Sequence, residues 1–126
     1  MTNLDYIPGD LVIYTSLIKD HIAEICEVYE TSYLIGFMRR NSARVTSKEI
    51  KPIPLTPNIL KKNGWEFWRG FYFSTNEEGI LICLISQGGG VWDAYTGGKP
   101  LHSGINSVSD LQHLLFGLGI NHEMEV

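Results

Sequence analysis

Cysteine is scarce. Only Cys26 and Cys83 occur in 126 residues, in no Cys-x-x-Cys pair, and a small secreted scaffold stapled by disulfides needs more. The sequence predicts two reduced thiols buried in apolar stretches of a cytoplasmic protein, with a single Cys26–Cys83 disulfide left open. His21, His102, His113 and His122 are scattered without His-x-x-x-His spacing, so no metal site is expected. Charged residues make up 19% of the chain, below the roughly 25% usual in soluble domains, which suggests a surface partly covered by a partner. No stretch reaches the ~18 apolar residues of a bilayer span, and Met1-Thr2-Asn3-Leu4-Asp5 lacks signal-peptide character. No membrane association is expected.

Chemical motifs are also missing. Gly88-Gly89-Gly90 and Gly97-Gly98-Lys99 lack P-loop spacing and precede strand-like segments rather than helix starts, so they read as hairpin turns. Asp93 stands alone among strand residues, leaving no carboxylate pair for acid–base work. His113 paired with Cys26 or Cys83 would make a nucleophile only through direct hydrogen-bond contact; a small cysteine-dependent hydrolase is therefore a remote alternative. The expectation is a protein that is not an enzyme, with no catalytic residue, cofactor or metal.

What is present is organised around Ile50-Lys-Pro-Ile-Pro-Leu-Thr-Pro-Asn-Ile-Leu-Lys-Lys-Asn-Gly64. Pro52 and Pro54 fix φ and remove two N–H donors, which excludes a central strand or a helix interior. Thr56-Pro57 is a helix start, with a hydroxyl at the N-cap and proline at N1. Lys61 and Lys62 suit the C-terminal end of the dipole and Gly64 a left-handed stop, giving a helix over about 57–63.

Before this pivot, 11–14, 22–29, 33–38 and 43–46 read as short strands, with 15–20 and 39–42 as loops, a lead-in over 1–6 and a 3₁₀ turn at 47–50. Residues 22–29 alternate, Ile22, Glu24, Cys26 and Val28 against Ala23, Ile25, Glu27 and Tyr29. Gly9-Asp10-Leu11-Val12, the long hairpin and Val45…Ile50-x-Pro52-Ile53 resemble SH3-like barrels of the KOW or Tudor kind. After the helix, Trp65–Ser74 (interrupted at Gly70), Ile80–Ile85, Val91–Tyr95 and Leu101–Ile105 give four strands. The second is apolar throughout and predicts burial on both faces. Ser107 and Asp110 form a capping pair for a last helix whose apolar side is Val108, Leu111, Leu114, Leu115 and Leu118; Asn121–Val126 reads as a mobile tail. The predicted architecture is α+β: residues 1–55 a small SH3-like antiparallel β-barrel, residues 56–126 a helix, a four-stranded antiparallel sheet and a helix, the halves packed together.

Two surfaces stand out. Arg39, Arg40, Arg44, Lys48, Lys51, Lys61 and Lys62 face only Glu49 in that stretch, while the rest of the chain holds three basic and thirteen acidic residues. This asymmetry fits either a solvated face or phosphate contacts. The aromatics Trp65, Phe67, Trp68, Phe71, Tyr72, Phe73, Trp92 and Tyr95 crowd the second half, as the two faces of its sheet or, where exposed, as a docking surface; Trp65, Trp68, Trp92 and Tyr95 are the candidates for protein binding.

The chain also resembles a family of short, uncharacterised proteins of Bacteroides-type genomes, often associated with phages or mobile elements. That family carries a centre like Ile-x-Pro-Ile-Pro-Leu-Thr-x-x-Ile-Leu-x-x-x-Gly-Phe and a closing helix like Leu-Gln-Asn-Leu-Tyr-Phe-Ala-Leu. Here Trp65 takes the place of the Phe, and His113, Leu115 and Gly117 those of Asn, Tyr and Ala within Leu111–Leu118. The resemblance implies no activity. Two readings follow: an interaction module binding a protein partner or itself, and a nucleic-acid-binding accessory protein using the basic stretch.

Overall fold

The computed structural model describes residues 6–16, 19–38, 41–75 and 79–126. The chain divides into two compact units, Met1–Ile53 and Pro54–Val126, each built on a five-stranded antiparallel sheet, and two helices complete the α+β chain.

In the first unit the strands are β1 (Leu11–Thr15), β2 (Asp20–Val28), β3 (Tyr33–Phe37), β4 (Asn41–Val45) and β5 (Ile50–Pro52), in the order β4-β3-β2-β1-β5. The predicted barrel is not closed: β4 and β5 are the two edges of an open sheet. Alternation holds along β2 as far as Ile25, with Ala23 and Ile25 buried beside Val12, Ile35, Val45 and Ile50. A register shift between Ile25 and Glu27 then leaves Cys26 out of step, as a β-bulge does. The expected 3₁₀ turn at 47–50 is replaced by a tight turn in which Glu49 N–H donates to Thr46 O at 3.0 Å and the Glu49 carboxylate accepts from Thr46 N–H at 2.9 Å. Ile50 then opens an edge strand, the place in a sheet where Pro52 costs least. The lead-in is tied down as well. Gly9, at φ 96°, donates to Ile25 O at 2.8 Å, and the fully buried Asp10 accepts from Ile7 N–H at 2.9 Å. The expected fraying concerned Met1–Asp5 and Tyr6; the first five lie outside the described residues, and Tyr6 packs edge-on to Tyr33.

The second unit opens with α1 (Pro57–Lys62), where Thr56 Oγ1 accepts from Ile59 N–H at 3.3 Å and Gly64 follows at φ 85°. The helix is too short to persist alone; it is held by Leu60, fully buried, whose truncation to Ala would cost about 2–5 kcal/mol. Five strands rather than four follow: β6 (Glu66–Trp68), β7 (Phe71–Thr75), β8 (Leu81–Gly88), β9 (Val91–Thr96) and β10 (Lys99–Ile105), each paired with the next. Arg69 and Gly70 both have positive φ, 49° and 93°. Such a pair makes the two-residue turn that suits a hairpin, so the predicted single strand is two.

The closing helix α2 (Val108–Gly117) starts as its sequence requires, Ser107 Oγ accepting from Asp110 N–H at 3.1 Å. The Asp110 carboxylate returns a bond to Asn106 N–H at 3.2 Å, one residue earlier than a capping box would place it. Its buried side is Val108, Ser109, Leu111, Gln112 and Leu115, while Leu118 is exposed. Gln112 reaches the inside because its Nε2 donates to His122 O at 3.0 Å. The tail predicted to be mobile is held by its backbone. Asn63 exchanges two 2.8 Å bonds with Glu125, and Lys62 Nζ donates to Val126 O at 2.9 Å.

Candidate functional site

The two faces of the second sheet differ in what covers them. Register puts Phe67, Tyr72 and Leu84 opposite one another in turn, and likewise Ser74 with Ile82 and Trp92 with Ile105. Tyr72, Ile82, Leu84, Trp92, Ala94 and Ile105 of this face are buried. On the other face a row runs across all five strands, Glu66, Phe73, Cys83, Tyr95 and Pro100. Trp68 opposite Phe71, Leu81 and Ile85 lie beside it. Phe71, Phe73, Cys83 and Tyr95 are half-buried, and Leu81 and Ile85 are 41% and 36% exposed. The apolar stretch Leu81–Ile85 of β8 is therefore covered on one side alone, correcting the expectation of burial on both.

This face gathers part of the predicted aromatic set. Trp68 is 53% exposed, with the Arg69 guanidinium 4.6 Å from its ring centre, a cation–π geometry; Tyr95 lies in the cross-strand row. Trp65 and Trp92 go to the interior, 6% and 5% exposed. Trp92 Nε1 donates to Leu55 O at 3.1 Å, and Trp65 lines a cavity of about 170 Å³ with Ile82, Leu115 and Met124. Phe67, 58% exposed, is the aromatic whose position the sequence did not single out. Parity would have assigned Phe67 and Phe73 to opposite faces once the Arg69-Gly70 turn was known; a break at Gly70 alone does not give the turn length that fixes parity across it.

The cysteines differ from their expected burial. Both are free thiols; Cys26 is exposed and Cys83 half-buried. Burial pushes the Cys83 thiol up from its ordinary range, away from the thiolate that nucleophilic chemistry requires. Among the described residues no group of three His, Cys, Asp or Glu side chains is arranged to hold a metal ion.

The basic residues are divided. Arg39 and Arg40 lie outside the described residues. Arg44, Lys48 and Lys51 are exposed in the first unit, and Lys61 and Lys62 in the second. Several have local partners: the Arg44 guanidinium sits 4.1 Å over the Tyr29 ring, Lys51 Nζ is 3.8 Å from the Asp20 carboxylate, and Lys62 holds the tail. No helix among the described residues is long and apolar enough to cross a membrane.

Comparisons with known protein families, with curated proteins and with solved structures return no match.

Proposed function

We propose that this protein is a non-enzymatic interaction module that binds a protein partner through the open face of its second sheet. The observation that carries the reading is the apolar row Phe73–Cys83–Tyr95, flanked by the exposed Leu81 and Ile85. A sheet face of this composition gains free energy when covered, and exposed aromatics at its margin serve as anchors. The test is capture from extracts with wild-type protein beside Leu81→Lys/Ile85→Lys. A defined species retained by the first and lost from the second supports the reading; identical capture by both removes it.

The SH3-like reading of the first unit belongs to the same proposal. Val45 ends one edge strand, Ile50 begins the other, and only the four residues 46–49 join them. A chain that short reaches at most about 18 Å, so the sheet must curl strongly on itself, and the bulge in β2 is a place to bend. Barrels of this kind serve as binding modules, in keeping with the reading. Membership of the Bacteroides-type family, its phage or mobile-element setting and a cytoplasmic location stay part of the proposal on the strength of the Ile50–Gly64 and Leu111–Leu118 motifs.

Nucleic acid is the second reading, favoured by the exposure of Arg44, Lys48 and Lys51 around the turn between the edges of the first sheet. Oligonucleotide binding that falls with salt and weakens in Arg44→Glu/Lys48→Glu would promote it. A cysteine-dependent hydrolase stays remote, since the raised Cys83 thiol runs against it.

A further inference from the structure

The two edges of the second sheet are unequally protected. On β10 the edge carries Lys99 and Pro100, and its pairing with β9 is broken by shifts after Pro100 and after His102; charge, proline and irregular register are the devices that keep an edge from recruiting another strand. β6 has neither proline nor a register shift, and its single charge is Glu66. Its residues Glu66, Phe67 and Trp68 are all exposed and pair in unbroken register with β7 on the other side.

The hairpin geometry states what this edge offers. In a two-residue turn the flanking residues, here Trp68 and Phe71, exchange hydrogen bonds across the hairpin. The N–H and C=O of Phe67 therefore point the other way, to the open edge. The side chains are self-complementary as well. Glu66 and Trp68 share one face, and the Arg69 guanidinium lies over the Trp68 indole. Phe67 is on the opposite face, 4.9 Å from Tyr72, whose ring is in turn 5.7 Å from Trp92.

We infer that this module also pairs with a second copy of the chain, joined antiparallel through β6 to make one continuous ten-stranded sheet. The inference goes beyond the interaction reading above, because it uses the β6 edge and leaves the Leu81/Ile85 face free for another partner. With the two-fold axis at Phe67, the Phe67 residues of the two copies exchange two backbone hydrogen bonds. Glu66 of each copy faces the Trp68 indole of the other and so meets the Arg69 guanidinium lying on it, twice by symmetry. On the opposite face the ladder Trp92–Tyr72–Phe67 meets its two-fold equivalent in the second copy, burying two Phe67 rings that water now covers. A closed two-fold pairing uses up the edge it forms on, so the assembly stops at two.

Sedimentation velocity of the full chain over a wide concentration range tests this. The mass should rise from 14.2 kDa toward twice that value. Glu66→Arg and Arg69→Glu, both at exposed positions, should each weaken the dimer by about tenfold, because two symmetric ion pairs become repulsions. The double exchange Glu66→Arg/Arg69→Glu should recover wild-type association, and Phe67→Pro, which deletes the outward N–H, should abolish it. A wild-type mass fixed at 14.2 kDa at every concentration overturns the second copy as partner. So do single variants that associate like wild type, or a double exchange no better than the singles. That failure leaves the interaction reading standing or falling on the Leu81/Ile85 capture, so the two are separable. A monomer that takes up a foreign chain through Phe67 would overturn the self-pairing in favour of an extended foreign segment.

Discussion

The indole of Trp92, on β9, donates a buried hydrogen bond of 3.1 Å to the carbonyl oxygen of Leu55, thirty-seven residues earlier. Leu55 N–H in turn donates to Asn106 O at 3.4 Å, and Pro54 bridges to Ser107. The segment after the proline pair is thereby fastened to both the sheet and the start of the closing helix. Its extended backbone cannot bond to itself, and a buried carbonyl without a donor would be costly. Trp92→Phe keeps most of the bulk and removes the donor. We expect a loss of about 1–3 kcal/mol in urea unfolding, with Trp92→Ala costing about 3–5 kcal/mol because a cavity is added.

The tail should detach when Asn63 is truncated. Its amide both accepts from Glu125 N–H and donates to Glu125 O, imitating a strand partner. Asn63→Ala is expected to speed hydrogen exchange at the Glu125 amide and to cost about 0.5–1.5 kcal/mol per bond lost. Unchanged protection at Glu125 would show that the tail is held by Lys62 and Gln112 instead.

Asp10 is buried with its carboxylate on Ile7 N–H. Asp10→Ala leaves that donor unmatched beneath the lead-in, and the first unit should lose about 1–3 kcal/mol. The effect should appear in exchange at Gly9 and Ile25, which bond across the same turn, and not at amides of the second unit.

Thiol labelling should separate the cysteines. Cys26, on the bulge and exposed, should react with a disulfide reagent several-fold faster than Cys83 at neutral pH. Because the folded Cys83 holds its proton more tightly than the unfolded chain does, its contribution to stability is complete below the ordinary thiol range. That contribution is lost as pH rises through the folded value. Cys83→Ser should flatten the alkaline limb of stability against pH; a limb unchanged by the substitution would assign it to other groups.

Much of the local structure was legible. Thr56-Pro57 and Ser107…Asp110 start helices where they should, because caps depend on a few adjacent residues and a fixed backbone geometry. Composition alone marks the strands over 11–14, 33–38 and 91–95, and the two prolines exclude their segment from a sheet interior. The candidate site was legible only in part. Tyr95 and Trp68 reach the open face, whereas Trp65 and Trp92 are buried, Trp92 with its indole N–H on the Leu55 carbonyl.

Sequence alone was enough for both helix caps, most strand-forming runs and the alternation in β2 as far as Ile25, which follow from steric and hydrogen-bonding preferences of neighbouring residues. Tertiary structure alone decided which face of β8 is covered, that Gln112 lies inside while Leu118 stays out, and that the tail is bound. Each of these depends on partners many positions away, Gln112 on His122 and Asn63 on Glu125. An apolar run such as Ile80–Ile85 has no periodicity to say which side will meet a helix. That choice is made only when α2 closes over one face of the sheet.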